Sequence, residues 1–139
     1  MKNKIFAIIG GTIALFGLGY LIYVILGFNM HNGEAAEATF TKLELPAIIL
    51  MEILYASLLT IVFSKWTQIN SFSSGLQAGL IIGAFIGACG TLHLFATSEL
   101  VELTGVISAT ITFGIRFAVA GGVICLLYTS PSPRDEQFH

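Results

Sequence analysis

Three ionisable residues lie inside long apolar stretches of this sequence: Glu52, His93 and Arg116. A charged side chain within a membrane-spanning segment is costly, so such residues generally face other protein groups or water and serve a function. Glu52 and Arg116 carry opposite charges and can form an ion pair. A histidine can change its charge near neutral pH. The chemistry open to these residues is therefore charge pairing and the handling of protons or small solutes.

Polar and small residues continue the helix faces on which these charges lie. Ser108 and Thr112 precede Arg116 at intervals of four residues. The residues that follow Glu52 at the same interval are Ala56, Thr60 and Ser64. Residues four apart share one face of a helix, and lipid would leave a charge on such a face unsolvated. We therefore predict a polar seam between the second and fourth helices, with Glu52 and Arg116 within reach of each other.

A stripe of small residues runs along the third apolar stretch. Its members stand four residues apart and are Gly75, Gly79, Gly83 and Gly87. Helices in lipid gain little hydrophobic free energy by associating, so small residues at this spacing let two backbones approach closely. The fourth stretch offers a second stripe, made of Gly114, Ala118 and Gly122. This glycine-zipper pattern predicts a tight hairpin of helices three and four; the alternatives are contact with another copy of the chain and a pore lining.

The composition is that of an integral membrane protein. Of the 139 residues, 55% are hydrophobic and 10% are charged, and the mean hydropathy is +0.88. About 20 apolar residues cross the hydrocarbon core as a helix, and four stretches reach that length, at about 5–28, 45–66, 75–96 and 99–127. We predict an all-α, integral membrane four-helix bundle of two helical hairpins within one domain, residues 1–124. Ser98 is predicted to cap the fourth helix.

Residues 125–139 differ from the rest of the chain. The run from Cys125 to Asp135 resembles the in-frame translation of a widely used transposase-type sequencing adapter. On this interpretation residues 125–139 are a tail that is not native to the protein, and the genuine sequence stops near Ile124. The alternative is an ordinary disordered tail rich in serine and proline. Under either interpretation we assign no function to residues 125–139.

The loops predict an orientation in the membrane. Lys2 and Lys4 precede the first helix and Lys65 ends the second, and lysine is enriched on the cytoplasmic side. The glutamates of the other two loops are Glu34, Glu37, Glu44, Glu99 and Glu102. Both termini are therefore predicted to be cytoplasmic, and the glutamate-bearing loops to lie outside.

No motif for catalysis, nucleotide binding or a cofactor was found, and we do not expect an enzyme. His31, Glu34 and Glu37 share the outer loop, but without thiols or a second nearby histidine they are a weak metal site, and none is predicted. Basic residues are too few for nucleic acid. The expected partners are the lipid bilayer and a second copy or another membrane protein.

Several segments carry a resemblance to known sequences. They are Gly19-Tyr20-Leu21-Ile22-Tyr23, Phe63-Ser64-Lys65-Trp66, the run 71–83, and Gly121-Gly122-Val123-Ile124. In their order and spacing these segments resemble an uncharacterised family of small four-helix bacterial membrane proteins of unknown function. The resemblance implies a multi-pass protein of the bacterial inner membrane and brings no activity with it. Our leading hypothesis is a structural, assembly or partner-binding role; the alternative is a small transporter or channel component that handles protons or a small solute at Glu52 and Arg116.

Overall fold

The computed structural model describes residues 2–66 and 68–129. Within those residues the fold is all-α, with no strand, and the four long helices are each long and apolar enough to span a membrane. This confirms the predicted fold class. The elements are α1 (Lys2–Gly19), a π-helical continuation (Tyr20–Ile25, the π segment), the short α2 (Ala36–Thr39), α3 (Leu45–Lys65), α4 (Phe72–Thr97) and α5 (Leu103–Thr129).

Capping groups set helix ends that differ from those predicted. α4 begins at Phe72, rather than near residue 75, because Ser71 and Ser74 form a capping box in which each side chain accepts the other's backbone N–H. Ser98 ends α4 instead of starting the next helix: its hydroxyl donates to the Leu94 carbonyl at 2.6 Å. The fourth long helix therefore begins at Leu103, rather than near residue 99.

The first long helix also ends earlier than residue 28. Gly27 has a φ of +77°, which a residue with a side chain rarely adopts, so the helix cannot continue through it. The N–H groups of Leu26 and Phe28 instead close the π segment by bonding to the carbonyls of Leu21 and Ile22. The π segment and this turn together fix where the chain leaves α1.

α5 is the central helix of the bundle. It contacts α4, α1 and α3, and α1 also packs against α3. Half of the most apolar stretch of α5 is buried, against 22% for each of the other three long helices. The main core cluster consists of Ala7, Leu15, Ala56, Leu59, Phe63, Phe117, Ala120, Ile124 and Cys125. The apolar side chains left outside this core form the surface that a bilayer would cover.

The glycine stripe of α4 is buried against α5. A Cβ atom on Gly79 or Gly83 would overlap the carbonyl oxygen of Phe117 or Phe113. The residues of α5 that meet the four glycines include Ala109, Phe113, Phe117 and Gly121. The predicted partners lie beside this line: Gly114 faces Leu80 and Ala84, Ala118 lies near Gly79, and Gly122 faces the Phe72 ring. The stripe therefore brings α4 directly onto the α5 backbone, at small and bulky residues alike.

The last turn of α5 includes residues that the sequence assigned to a tail. Residues 125–129 continue the helix, because the run Cys125-Leu126-Leu127-Tyr128 is apolar. Cys125 is buried and its thiol donates to the Ile69 carbonyl at 3.9 Å. The remainder of the predicted tail, 130–139, lies outside the described residues.

Candidate functional site: a buried ion pair among three helices

Glu52 and Arg116 meet in the interior of the bundle. Each residue is 2% exposed. The Nη2 of Arg116 donates to the Oε2 of Glu52 at 2.5 Å. Glu52 lies on α3, on the same buried face as Ala56 and Thr60, while Arg116 lies on α5. The two predicted charges are therefore brought together, and they join α3 to α5.

α1 supplies a third side of this site. The Nε and Nη2 of Arg116 donate to the backbone carbonyl of Leu15 at 3.4 and 3.3 Å. Gly19 lies one turn further along, and a Cβ there would be 3.5 Å from Nη2. A side chain as small as alanine would therefore make only ordinary van der Waals contact with the guanidinium group at this position. Arg116 consequently holds three helices together.

Aromatic and hydroxyl groups complete the surroundings of Arg116. Its guanidinium carbon lies 5.6 Å from the ring centre of Tyr23 and 5.2 Å from that of Phe113, within the range of cation–π attraction. Thr112 donates its hydroxyl to the Ser108 carbonyl at 2.9 Å, so the Tyr23 hydroxyl, 3.2 Å from the Thr112 hydroxyl, acts as the donor in that contact. Tyr23 therefore ties the π segment to α5.

The two oxygens of Glu52 are in different situations. Oε2 accepts the hydrogen bond from Arg116. Oε1 is buried and has no hydrogen-bond partner among the described residues. Most buried polar atoms have a partner, so an exception requires an explanation.

The other predicted site residues take different places. Thr112 is buried beside Tyr23, and Ser108 is half-buried and contributes its carbonyl. His93 is exposed on α4, a helix whose main contact is with α5, and no contact joins it to the ion pair. The predicted seam between α3 and α5 therefore has α1 as an additional wall, and His93 lies apart from it.

Sequence reasoning missed the contribution of α1. The sequence did not predict that the Tyr23 ring lies beside Arg116. The sequence carries no clear signal for this contact, because Tyr23 lies in the π segment, whose wider turn departs from α-helical spacing. The Leu15 carbonyl also had no signal, because every residue carries a backbone carbonyl.

A second ordered region lies in the loop between α1 and α3, which docks on the α4–α5 turn. The N–H groups of Gly33 and Ala35 donate to the carbonyls of Leu100 and Glu99, both at 3.0 Å. A Cβ on Gly33 would overlap the Glu99 carbonyl, so only glycine fits this approach. The His31 ring stacks on Phe40 at 4.1 Å, and burial lowers the pKa of His31 from its usual value.

The arrangement at Glu52 and Arg116 is that of a closed charge pair joining three helices. Among the described residues, no group of three or more histidine, cysteine, aspartate or glutamate side chains could hold a metal ion. Neither the ion pair nor the docked loop can be compared with a relative, since no known protein family, curated protein or solved structure matches the chain.

Proposed function

We propose that this chain is a multi-pass protein of the bacterial inner membrane with a structural or partner-binding role. The observation that carries the proposal is the burial of the Glu52–Arg116 pair, with both residues 2% exposed. Groups that pass protons or solutes through a membrane face a water-filled path. A pair enclosed by three helices is better suited to fixing how those helices pack.

The location and orientation are part of this proposal. Lysines at the start of α1 and at the end of α3 favour a cytoplasmic side for both termini. The resemblance to small bacterial four-helix membrane proteins favours the inner membrane. The partner would be a second copy of the chain or another membrane protein, received through the exposed apolar helix surfaces within the bilayer.

The experiment compares Glu52→Gln and Arg116→Met with wild type in folded yield and in proton or solute flux through liposomes. We expect both variants to lower the folded yield, because each leaves a polar or charged group buried without its partner. We expect wild-type liposomes to show no flux above protein-free liposomes. Glu102→Gln is the matched control, because Glu102 is an exposed glutamate outside the pair.

The opposite pattern would favour a transporter or channel component. In that case the wild type conducts protons or a small solute, and both variants fold with normal yield but lose the flux. The structural proposal would then be wrong.

A further inference from the structure

The two members of the ion pair depend on each other unequally. Arg116 also donates to the Leu15 carbonyl and lies against the rings of Tyr23 and Phe113. Among the described residues, the side chain of Glu52 accepts a hydrogen bond only from Arg116, and its Oε1 is buried without a partner. Loss of the contact would thus leave Arg116 with three other partners and Glu52 with none.

A proton can relieve the unpartnered oxygen. Burying a carboxylate oxygen without a donor costs free energy, and the neutral acid is far less costly to bury than the ion. The ionisable groups around Glu52 are Arg116 from α5, Tyr23 from the π segment and Tyr55 on α3 itself. Acid leaves a guanidinium charged and a phenol neutral, so Glu52 is the member of this group that changes charge on acidification.

We propose that Glu52 is a proton-binding site and that protonation releases α3 from Arg116. A proton from water binds Oε1, the carboxylate becomes a neutral carboxylic acid, and the net charge of the pair rises from zero to plus one. Arg116 remains cationic and stays on the Leu15 carbonyl and the Tyr23 ring. α3 is the helix that responds, because α1 keeps its own contacts with Arg116. The inference rests on the proposed function, since it requires that the pair holds the helices together.

The chain contains a natural reporter for α3. Trp66 is its single tryptophan and directly follows the last residue of α3, Lys65. Its side chain is partly exposed, so its fluorescence depends on the local environment at that helix end. A displacement of α3 should therefore change the Trp66 emission.

The test records infrared difference spectra and Trp66 emission of the full chain in liposomes between about pH 8 and pH 4, a range that spans ordinary carboxyl titration. We expect the band of a protonated, weakly hydrogen-bonded carboxyl to grow on acidification and the Trp66 emission to change with the same midpoint. Both signals should be absent in Glu52→Gln and kept in Glu102→Gln. A missing Glu52-dependent band, or a band without an emission change, would overturn the proposal.

A second variant covers the case in which Glu52→Gln does not fold. Asp135 is the only aspartate in the chain. The double variant Glu52→Asp/Asp135→Asn therefore carries a single aspartate, which isotope labelling makes visible alone. We expect the labelled carboxyl to take up a proton with the same pH midpoint as the change in Trp66 emission. A labelled carboxyl that takes up no proton in this pH range would overturn the proposal. A different result would contradict the proposed function: Glu52→Gln and Arg116→Met would both fold with normal yield and lose a flux that the wild type shows.

Discussion

The shape of the guanidinium group explains why arginine suits position 116. A guanidinium is planar and carries several N–H donors, whereas a lysine ammonium is a compact point charge. The N–H groups at the edge of the Arg116 guanidinium donate to Glu52 and to the Leu15 carbonyl. The guanidinium lies within cation–π distance of the Tyr23 and Phe113 rings. One side chain thereby links α5 to α3 and α1, which a lysine could not do with the same set of contacts.

The His31 ring gives the docked loop a pH dependence. Its pKa lies below the usual 6.5 because the ring is partly buried. The unfolded loop binds the proton more readily than the docked loop, so docking should be fully stable above about pH 6.5 and weaken as the pH falls below it. Hydrogen exchange of the Gly33 and Ala35 amides, expressed relative to unprotected amides at each pH, should show this loss of protection.

His31→Phe is the matched variant for this measurement. Phenylalanine keeps an aromatic ring to stack on Phe40 but cannot take up a proton. We expect the protection of Gly33 and Ala35 in this variant to be independent of pH across the same range. An equal loss of protection in the variant would show that His31 is not the titrating group.

The sequence was sufficient to predict which charges meet but not everything that surrounds them. Glu52 and Arg116 are opposite charges at suitable depths in two apolar helices, and lipid leaves such charges few alternatives to pairing. The direction of Tyr23 depends on the wider turn of the π segment, which periodicity with a 3.6-residue repeat does not describe. His93 is ionisable and lies within an apolar stretch, but it is exposed on α4, away from the pair.

At the scale of helices, the α4–α5 contact is a contact between backbones. Gly75 and Gly121 lie directly against each other, while Gly83 and Gly87 receive the Cβ regions of Phe117 and Phe113. The same two phenylalanines meet Tyr55 of α3 on their other side, with ring centres 5.0 and 6.5 Å apart. Phe113 and Phe117 of α5 therefore contact both α4 and α3.

Substitution of Gly83 by leucine should separate α4 from α5. The new side chain would overlap the Phe113 carbonyl and the Phe117 side chain, and overpacking of this kind costs about 1–3 kcal/mol or more. Gly90→Leu is the control on the same helix, because a Cβ there meets nothing within 4 Å. Unfolding in a denaturing detergent should show a marked loss of stability for Gly83→Leu and little for Gly90→Leu. Equal stability of the two variants would mean that the stripe is not a packing surface.

Helix existence was predictable and helix ends were less so. The four apolar stretches are long, and hydrocarbon leaves the helix as their stable form. The ends depend on local contacts that periodicity does not capture, namely the Ser71–Ser74 box, the Ser98 hydroxyl and the positive φ of Gly27. Each of these moved a boundary by a few residues without changing which helix faces pack.

At the scale of the whole molecule, α5 is the central helix of the bundle. The ion pair lies on the side of α5 that faces α1 and α3. α4 is held chiefly by its glycine stripe, and α3 by apolar packing against α1 together with the contact from Glu52 to Arg116. The bundle thus has one tight hairpin, α4–α5, and α1 packs extensively on α5, whereas α3 has few direct contacts with α5. The ion pair from Arg116 to Glu52 is therefore a main link between α5 and α3.

A double-mutant cycle measures how strongly Glu52 and Arg116 depend on each other. The free energy of unfolding is measured under one detergent condition for wild type, Glu52→Gln, Arg116→Met and the double variant. Removing Arg116 alone should cost about 3–5 kcal/mol, because Glu52 is left buried without a partner. Glu52→Gln should cost less, because Arg116 keeps the Leu15 carbonyl. We expect the double variant to be more stable than Arg116→Met by at least about 1 kcal/mol; costs of the two single variants that simply add would contradict the coupling of Glu52 and Arg116.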